Sequence, residues 1–290
     1  MRKRLIIVAL LVAIAAIAGI VRSNSGAGLT NLERLVSHNH TGQTREEKRE
    51  SYELATGAQV EVSNINGPVD IETSDTRTAD IFIERSASTP ESLNRRRIAI
   101  EYTPTSLRIY GEKGSTGFWA RIFGSNPSER ITLKLPRQIA LVTKGVNGSV
   151  VAGEVEGALE VRGVNGRVEI ASANGNAVLK GINGNVVLAL RGLNVDAVMM
   201  SGINGNIELR LSDQVNGYLD VKGINGRLIS DAAQVSIEKG KRGRYWAQIG
   251  SGGNSMSAKG INGNIRLTRS IAPTAVVQAQ PGADTAETEK

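Results

Sequence analysis

A tetrapeptide of the form Gly-Val-Asn-Gly or Gly-Ile-Asn-Gly occurs six times in the second half of the chain, and it constrains the fold more than any other feature. Its copies begin at Gly145, Gly163, Gly181, Gly202, Gly223 and Gly260, at successive spacings of 18, 18, 21, 21 and 37 residues. A motif that recurs at nearly constant spacing is typical of repeat proteins, in which each unit packs against its neighbours. We therefore expect a repeat domain here.

Apolar and polar residues alternate between the motifs, which predicts strands with one buried face. Ile207, Leu209 and Leu211, for example, alternate with Glu208 and Arg210. Apolar pairs on both sides of each motif indicate two strands per unit. The pairs expected to point inward are Val168 and Ile170, Val186 and Leu188, and Ile265 and Leu267 after the motif, and Leu159 and Val161, Ala177 and Leu179, Val198 and Met200, Leu219 and Val221, and Met256 and Ala258 before it.

Two arrangements of these strands are open. Each Asn-Gly could form a type I′ hairpin turn, which would give an antiparallel meander. However, the whole motif repeats every 18 or 21 residues while the intervening turn varies, so the repeating unit contains two strands and two turns. We therefore predict an all-β protein, a parallel β-solenoid with two short strands per coil of 18–21 residues and with neighbouring coils about 4.8 Å apart.

Stacked coils place the motif asparagines above one another, where their amides can bond from coil to coil. The flanking glycines permit positive φ and a close approach of backbones. We predict a structural ladder formed by Asn147, Asn165, Asn183, Asn204, Asn225 and Asn262.

The composition along the chain predicts five segments. They are a signal anchor or transmembrane helix at 1–22, a polar tether at 23–50, a strand-rich N-terminal part of the β-domain at 51–140, the repeat solenoid at 141–269 and a disordered tail at 270–290. In the strand-rich part, Thr89 and Pro90 can open a short helix. The tether contains His38 and His40, which we interpret as solvated because the segment lacks further metal ligands.

The N-terminal segment predicts export from the cytoplasm. Leu5 to Val21 is an apolar run that follows the basic cluster Arg2-Lys3-Arg4. It is slightly short for a membrane span and long for a signal-peptide core, so an uncleaved anchor is favoured over a cleaved signal. The basic cluster should stay inside. We expect a single-pass protein of the bacterial inner membrane with an extracytoplasmic β-domain, or a secreted protein if the segment is cleaved.

The composition excludes several classes of chemistry. The chain has no cysteine, and its two histidines both lie in the predicted tether, so disulfides, thiolate metal sites and a histidine base in the β-domain are excluded. We expect no cofactor and no metal. The net charge of +7 includes four basic residues in the first 22, and the remaining excess does not indicate nucleic acid binding.

One row of basic residues is a candidate binding site. The residue before the motif is basic in five of six copies, and strand alternation points all five outward; they are Lys144, Arg162, Lys180, Lys222 and Lys259, called the basic row below. Cations repeated at steps of about 5 Å could hold an acidic polysaccharide or lipid headgroups. Alternatively, the long side chains cover the corner and pair with nearby Glu160 and Asp220.

The 37-residue gap before the last motif holds a second candidate. It contains Lys241, Arg242, Arg244, Tyr245 and Trp246, and basic residues beside aromatic ones suit contact with phosphate or sugar. The alternative interpretation is an inserted loop. A further loop from Gly114 to Asn126 carries Phe118, Trp119 and Phe123, which we expect to cap an open end of the sheets.

The repeated Gly-Ile-Asn-Gly, together with the lead Val60-Glu61-Val62-Ser63-Asn64-Ile65-Asn66-Gly67, resembles a known family. It is similar to the bacterial putative-adhesin family of β-strand repeats, a domain of unknown function, and to the head domain of putative autotransporter adhesins that is named for its Gly-Ile-Asn motif. The resemblance covers about Tyr52 to Thr268. It implies a cell-envelope protein and supplies no catalytic residues. The chain departs from an autotransporter because 270–290 cannot supply a membrane barrel.

The expected function is therefore non-enzymatic and adhesin-like. The repetitive surface would bind envelope polymers such as acidic polysaccharides, lipid headgroups or envelope proteins. One alternative is a self-assembling envelope scaffold. The other is a polysaccharide-cleaving enzyme that uses carboxylates alone, for which Asp196, Asp213, Asp220 and Asp231 are the candidates, although they form no tight cluster in sequence.

Overall fold

A computed structural model describes residues 44–113, 127–174, 176–193 and 198–270. The predicted anchor, His38, His40, Phe118, Trp119, Phe123, Asp196 and the tail beyond Ser270 lie outside these ranges. Within the ranges, no helix combines the length and apolar character needed to cross a membrane.

The described residues are almost entirely β-structure and form two mixed sheets. Strands are numbered in chain order. Sheet I contains, in spatial order, β1 (Thr44–Glu53), β4 (Thr78–Ala87), β7 (Ser128–Pro136), β3 (Val69–Ser74), β9 (Val150–Val155), β11 (Val168–Asn174), β13 (Val186–Gly192), β15 (Ile207–Leu211), β21 (Ile265–Arg269) and β17 (Leu228–Ser230).

Sheet II faces sheet I across the core. As in sheet I, strands from neighbouring repeats lie side by side in it. It contains β18 (Val235–Lys239), β19 (Tyr245–Ile249), β16 (Gly217–Asn225), β20 (Asn254–Asn262), β14 (Val198–Asn204), β12 (Ala177–Asn183), β10 (Leu159–Val164), β8 (Ala140–Val146), β2 (Gln59–Ser63), β6 (Ser106–Lys113) and β5 (Arg96–Thr103). The chain passes from sheet II to sheet I at each Asn-Gly motif, so each repeat contributes one strand to each sheet.

Neighbouring repeats pair in parallel and in register. Leu159 pairs with Ala177 and Val161 with Leu179, and the same offset of one repeat continues along the sheet. Parallel pairing between repeats excludes the antiparallel meander that remained open from the sequence. All the predicted inward pairs are buried, and their aliphatic side chains form one continuous core. The core is thin because only residues two apart on each strand reach it.

The repeats do not stack in chain order throughout. The last repeat, β20 and β21, lies between β14 and β15 on one side and β16 and β17 on the other. Our expectation that consecutive repeats lie directly above one another is therefore wrong at this point. The 37-residue gap supplies the reason, because β18 and β19 form an antiparallel hairpin on the outer edge of β16 and the chain then returns to the open edge of β14.

The N-terminal part of the domain continues the same stack. β2 and β3 form a further unit beside β8 and β9, and β6 and β7 form another beyond it. Antiparallel strands β1, β4 and β5 close this end. Strand β1 begins at Thr44, so the last residues of the predicted tether belong to the sheet. A short helix α1 (Pro90–Leu93) has Thr89 as its N-cap, as the sequence suggested.

The position of β20 and β21 predicts the effect of a truncation. A chain that ends at Gly253 loses an internal unit with five buried side chains, Met256, Ala258, Ile261, Ile265 and Leu267. The four larger ones contribute about 6–12 kcal/mol gross at about 1.5–3 kcal/mol each. We expect urea unfolding to begin at much lower concentration and β16 amides to exchange rapidly. A chain that ends at Ser270 is the control and should unfold like the full chain; equal stability of the two truncations would contradict the observed strand order.

Candidate functional site

The motif asparagines form a hydrogen-bonded column along the edge where the two sheets meet. Except at Asn66, each side-chain Nδ2 donates to the Oδ1 of the asparagine that precedes it in the column, at 2.8–2.9 Å. The column contains the six predicted residues and one more, and its order is Asn66, Asn147, Asn165, Asn183, Asn204, Asn262 and Asn225. All donors point the same way along it. The column therefore fixes the register of the units at one corner.

Asn66 was not among the predicted members, although a sequence signal for it exists. It lies in Asn64-Ile65-Asn66-Gly67, where Asn64 occupies the position of the first motif glycine. In the six motifs this glycine has φ of 61–67°, and Asn64 has φ 57°. Asparagine adopts the left-handed region more readily than other non-glycine residues, so Asn-Ile-Asn-Gly is a seventh copy of the motif.

The second glycine of the motif has a different role. A Cβ added to Gly166 would overlap the carbonyl of Gly148, and one added to Gly184 would overlap the carbonyl of Gly166. By contrast, a Cβ added to Gly181 would come no closer than 3.8 Å to the neighbouring unit. The first glycine is thus required by backbone conformation and the second by the close approach of the next unit.

At its Asn66 end, the asparagine column meets a backbone carbonyl, and a buried carboxylate holds the Asn66 backbone. The backbone N–H of Asn66 donates to Glu129 Oε2 at 2.7 Å, and its side-chain Nδ2 donates to the Pro127 carbonyl at 2.9 Å. Glu129 is 1% exposed and forms an ion pair with Arg96 at 3.1 Å. Its charge is therefore compensated inside the fold, which indicates a structural role.

The five residues of the basic row lie on the outer face of sheet II in one register row. Arg162 pairs with Lys144 on one side and Lys180 on the other, and Lys259 pairs with Lys222. Ser201 lies between Lys180 and Lys259, because β14 neighbours both β12 and β20. Beyond Lys144 the row continues to Ser63 and Tyr110.

Carboxylates neutralise part of the basic row. Lys144 lies 3.5 Å from Glu61, Arg162 lies 2.7 Å from Glu160, and Lys222 lies 2.6 Å from Asp220. In the part of the chain that the structure describes, Lys180 and Lys259 have no carboxylate oxygen within 4.0 Å. These two exposed cations, with Ser201 between them, are therefore the most available for an external anion.

Tyr110 ends the row as a neutral group. Its hydroxyl donates to Glu101 Oε1 at 2.9 Å. This hydrogen bond, together with partial burial and the charge of Glu101, raises the pKa of Tyr110 to about 12. The phenol therefore stays protonated at neutral pH and adds no negative charge to this end of the row.

The five residues of the second candidate do not form one contact surface. Tyr245 is 6% exposed and points into the core, so it cannot contact a ligand. Lys241 and Arg242 lie in the turn of the β18–β19 hairpin, and Arg242 has φ 55° there. Arg244 and Trp246 lie on the outer face, where the guanidinium stacks over the indole ring at 4.4 Å.

The candidate carboxylates for catalysis are separated and paired with cations. Asp213 accepts a hydrogen bond from Arg269 at 2.5 Å, Asp231 accepts one from Arg266 at 2.6 Å, and Asp220 pairs with Lys222. No three potential metal ligands cluster among the residues in the described ranges.

Comparison with known proteins gives no family assignment. No protein-family model matches the chain, and no curated protein does. Among solved structures, a putative cell adhesion protein from Clostridium sporogenes is similar at 12% identity, with a TM-score of 0.38 and coverage of 78% of this chain and 100% of that one. For putative adhesins from Bacteroides fragilis and Parabacteroides merdae, identities are 12% and 9%, TM-scores 0.32 and 0.28, and coverage 77% and 78% of this chain and 97% and 96% of theirs. At these identities no residue role transfers to this chain.

The two glycines of one motif should tolerate asparagine differently. Gly181→Asn should cost less than about 1 kcal/mol, because asparagine can adopt the left-handed conformation, as Asn64 does. Gly184→Asn should cost about 3 kcal/mol, because its Cβ forces neighbouring backbones apart. Denaturant unfolding of both variants measures the difference, and equal costs would contradict the distinct roles of the two glycines.

Internal and terminal members of the asparagine column should differ in their contribution to stability. Asn183→Ala removes two side-chain hydrogen bonds, and Asn225→Ala removes one. At about 1 kcal/mol per bond we expect losses of about 2 and about 1 kcal/mol. Thermal unfolding of the two variants tests this ratio. A larger loss at Asn225 would show that the column does not act through these bonds.

Proposed function

We propose that this protein is a non-enzymatic β-solenoid of the bacterial cell envelope with an adhesin-like role, and that it holds anionic polymers along the basic row. The observation that carries the proposal is that five of six adjacent parallel strands carry a cation at the same register position, with Ser201 on the sixth; the cations are Lys144, Arg162, Lys180, Lys259 and Lys222. Cations repeated at about 4.8 Å steps match a polymer with regularly spaced negative groups better than they match a single small anion.

The availability of Lys180 and Lys259 supports binding over a purely structural role. If the row only covered the corner, we would expect an acidic partner close to each cation, as Arg162 has in Glu160 and Lys144 has in Glu61. The equivalent positions to Glu160 are Val178 beside Lys180 and Ser257 beside Lys259, which are uncharged. The sequence therefore leaves the centre of the row without compensating acids.

The proposed envelope location rests on the apolar segment Leu5 to Val21 and the basic cluster before it. It remains a prediction from the sequence. It favours polymers that exist outside the cytoplasm, such as acidic polysaccharides, over nucleic acids.

The scaffold alternative is disfavoured by the edges of both sheets. The outermost strands β1, β5 and β18 carry many charges, and β17 is only three residues long. Charged or short edge strands oppose pairing between molecules. The enzyme alternative is disfavoured because Asp213, Asp220 and Asp231 each pair with a cation rather than with one another.

Charge reversal in the basic row tests the proposal. We expect the full-length chain to bind immobilised polygalacturonate and polyphosphate at low salt and to release both as salt rises, because screening weakens exposed charge pairs. The double variant Lys180→Glu and Lys259→Glu should bind both at least about tenfold more weakly, at about 1 kcal/mol per cation removed.

The matched control reverses two lysines on sheet I, Lys48→Glu and Lys134→Glu, which gives the same change in net charge. This control should keep most of the binding. Absence of salt-sensitive binding to both polymers, or equal losses in the two double variants, would refute a specific role for the basic row.

A further inference from the structure

Two exposed aromatic rings lie together on the outer face of sheet II, beside the end of the basic row. Tyr218 on β16 is 48% exposed and Trp246 on β19 is 39% exposed. In the antiparallel pairing of these strands, Tyr218 lies opposite Gln248 and Trp246 lies opposite Asp220. The two residues are therefore diagonal neighbours on one face, with their Cα atoms about 7–8 Å apart.

Contacts beneath and beside the rings hold them in place. The Tyr218 hydroxyl end lies over Gly252, where an added Cβ would overlap the ring, and the edge of Trp246 lies over Gly240 in the same way. Arg244 stacks on Trp246, and Asp220 lies 3.7 Å from the Arg244 guanidinium. Rings with restricted motion lose little conformational entropy when a ligand packs on them.

Polar side chains that can bind the hydroxyls and carboxylates of a ligand lie near the rings. On the neighbouring strand β20, Ser255 pairs with Tyr218, Ser257 with Asp220 and Lys259 with Lys222. Tyr218 and Ser255 thus share one register row, Trp246, Asp220 and Ser257 share the next, and the row beyond that presents Lys222 and Lys259. This combination of aromatic faces, hydroxyls and cations lies within three adjacent strands, β19, β16 and β20.

We propose that Tyr218 and Trp246 form a sugar-binding platform, and that the polymer held by the basic row is an acidic polysaccharide of the uronic acid type. The apolar C–H face of a sugar ring packs on the electron-rich face of an aromatic ring. The carboxylates of the same chain then reach Lys259, in the register row that lies two positions beyond Trp246 and four beyond Tyr218. Lys222 in the same row already pairs with Asp220. A polyphosphate chain has no such apolar face and gains nothing from the rings. This inference rests on the proposed function and specifies its ligand.

Removal of the rings separates this inference from the proposed function. The full-length variant Tyr218→Ser with Trp246→Ser should bind polygalacturonate at least about tenfold more weakly. Its binding to polyphosphate should be unchanged, because the basic row is intact. The variant Tyr218→Phe with Trp246→Phe keeps two aromatic faces and should restore most of the polygalacturonate binding.

A matched control replaces an exposed apolar residue on the other sheet. Ile229 on β17 is 42% exposed, and Ile229→Ser should leave binding to both polymers unchanged. Thermal unfolding of each variant identifies any loss that comes from misfolding. If the serine double variant unfolds at a lower temperature than the unchanged chain, binding is compared with other variants instead. These are the phenylalanine double variant and the single variants Tyr218→Ser and Trp246→Ser.

Fluorescence gives a direct measurement of contact. The chain has two tryptophans, so Trp119→Phe leaves Trp246 as the emitting residue. Polygalacturonate should change this emission in a saturable manner, whereas polyphosphate should not. Equal responses to both polymers, or unchanged polygalacturonate affinity without the rings, would overturn the platform while leaving the basic row intact. If neutral dextran bound as tightly as polygalacturonate, the proposal of an acidic ligand would be wrong. If the chain bound none of these polymers, both proposals would be wrong.

Discussion

Neighbouring units approach so closely at the Asn-Gly corner that no side chain fits between their backbones. The second glycine of each motif faces the carbonyl of the equivalent glycine in the next unit, and the first turns the chain through a left-handed conformation. This contact sets the spacing at which asparagine amides bond and aliphatic side chains stack. The same spacing aligns Lys180 and Lys259 with their neighbours on the outer face. The core and the proposed binding surface therefore depend on one corner.

The strands, the buried residues and the membership of the asparagine column follow from local sequence, since alternation and turn chemistry act over a few residues. The spatial order of the units does not. The corners at Gly223 and Gly260 have the same sequence, Lys-Gly-Ile-Asn-Gly, so each fits equally well beside the corner at Gly202. The hairpin of β18 and β19 decides between them by occupying the outer edge of β16. Long-range pairing of this kind leaves no periodic signal.

The candidate sites also differ in whether local sequence alone could predict them. The basic row could be predicted because its residues repeat with the motif, and the alternation of side chains along a strand places every member on one face. Tyr245 and Trp246 are adjacent on a strand, so they must face opposite sides, and a period-two assignment of β19 would have separated them. Tyr218 could not be associated with Trp246 from sequence, because that contact depends on the hairpin folding back against β16. Sites made by one repeated position are readable in a sequence, whereas sites made by an insertion require the fold.

The position of the last unit also has a consequence for how the chain is made. When a ribosome has synthesised the chain as far as Gly253, the space later filled by β20 and β21 has no occupant, and β14 and β16 both present unpaired backbone groups there. These edges have no neighbour until about 17 further residues emerge, so the nascent domain is most exposed to wrong strand pairing at this stage.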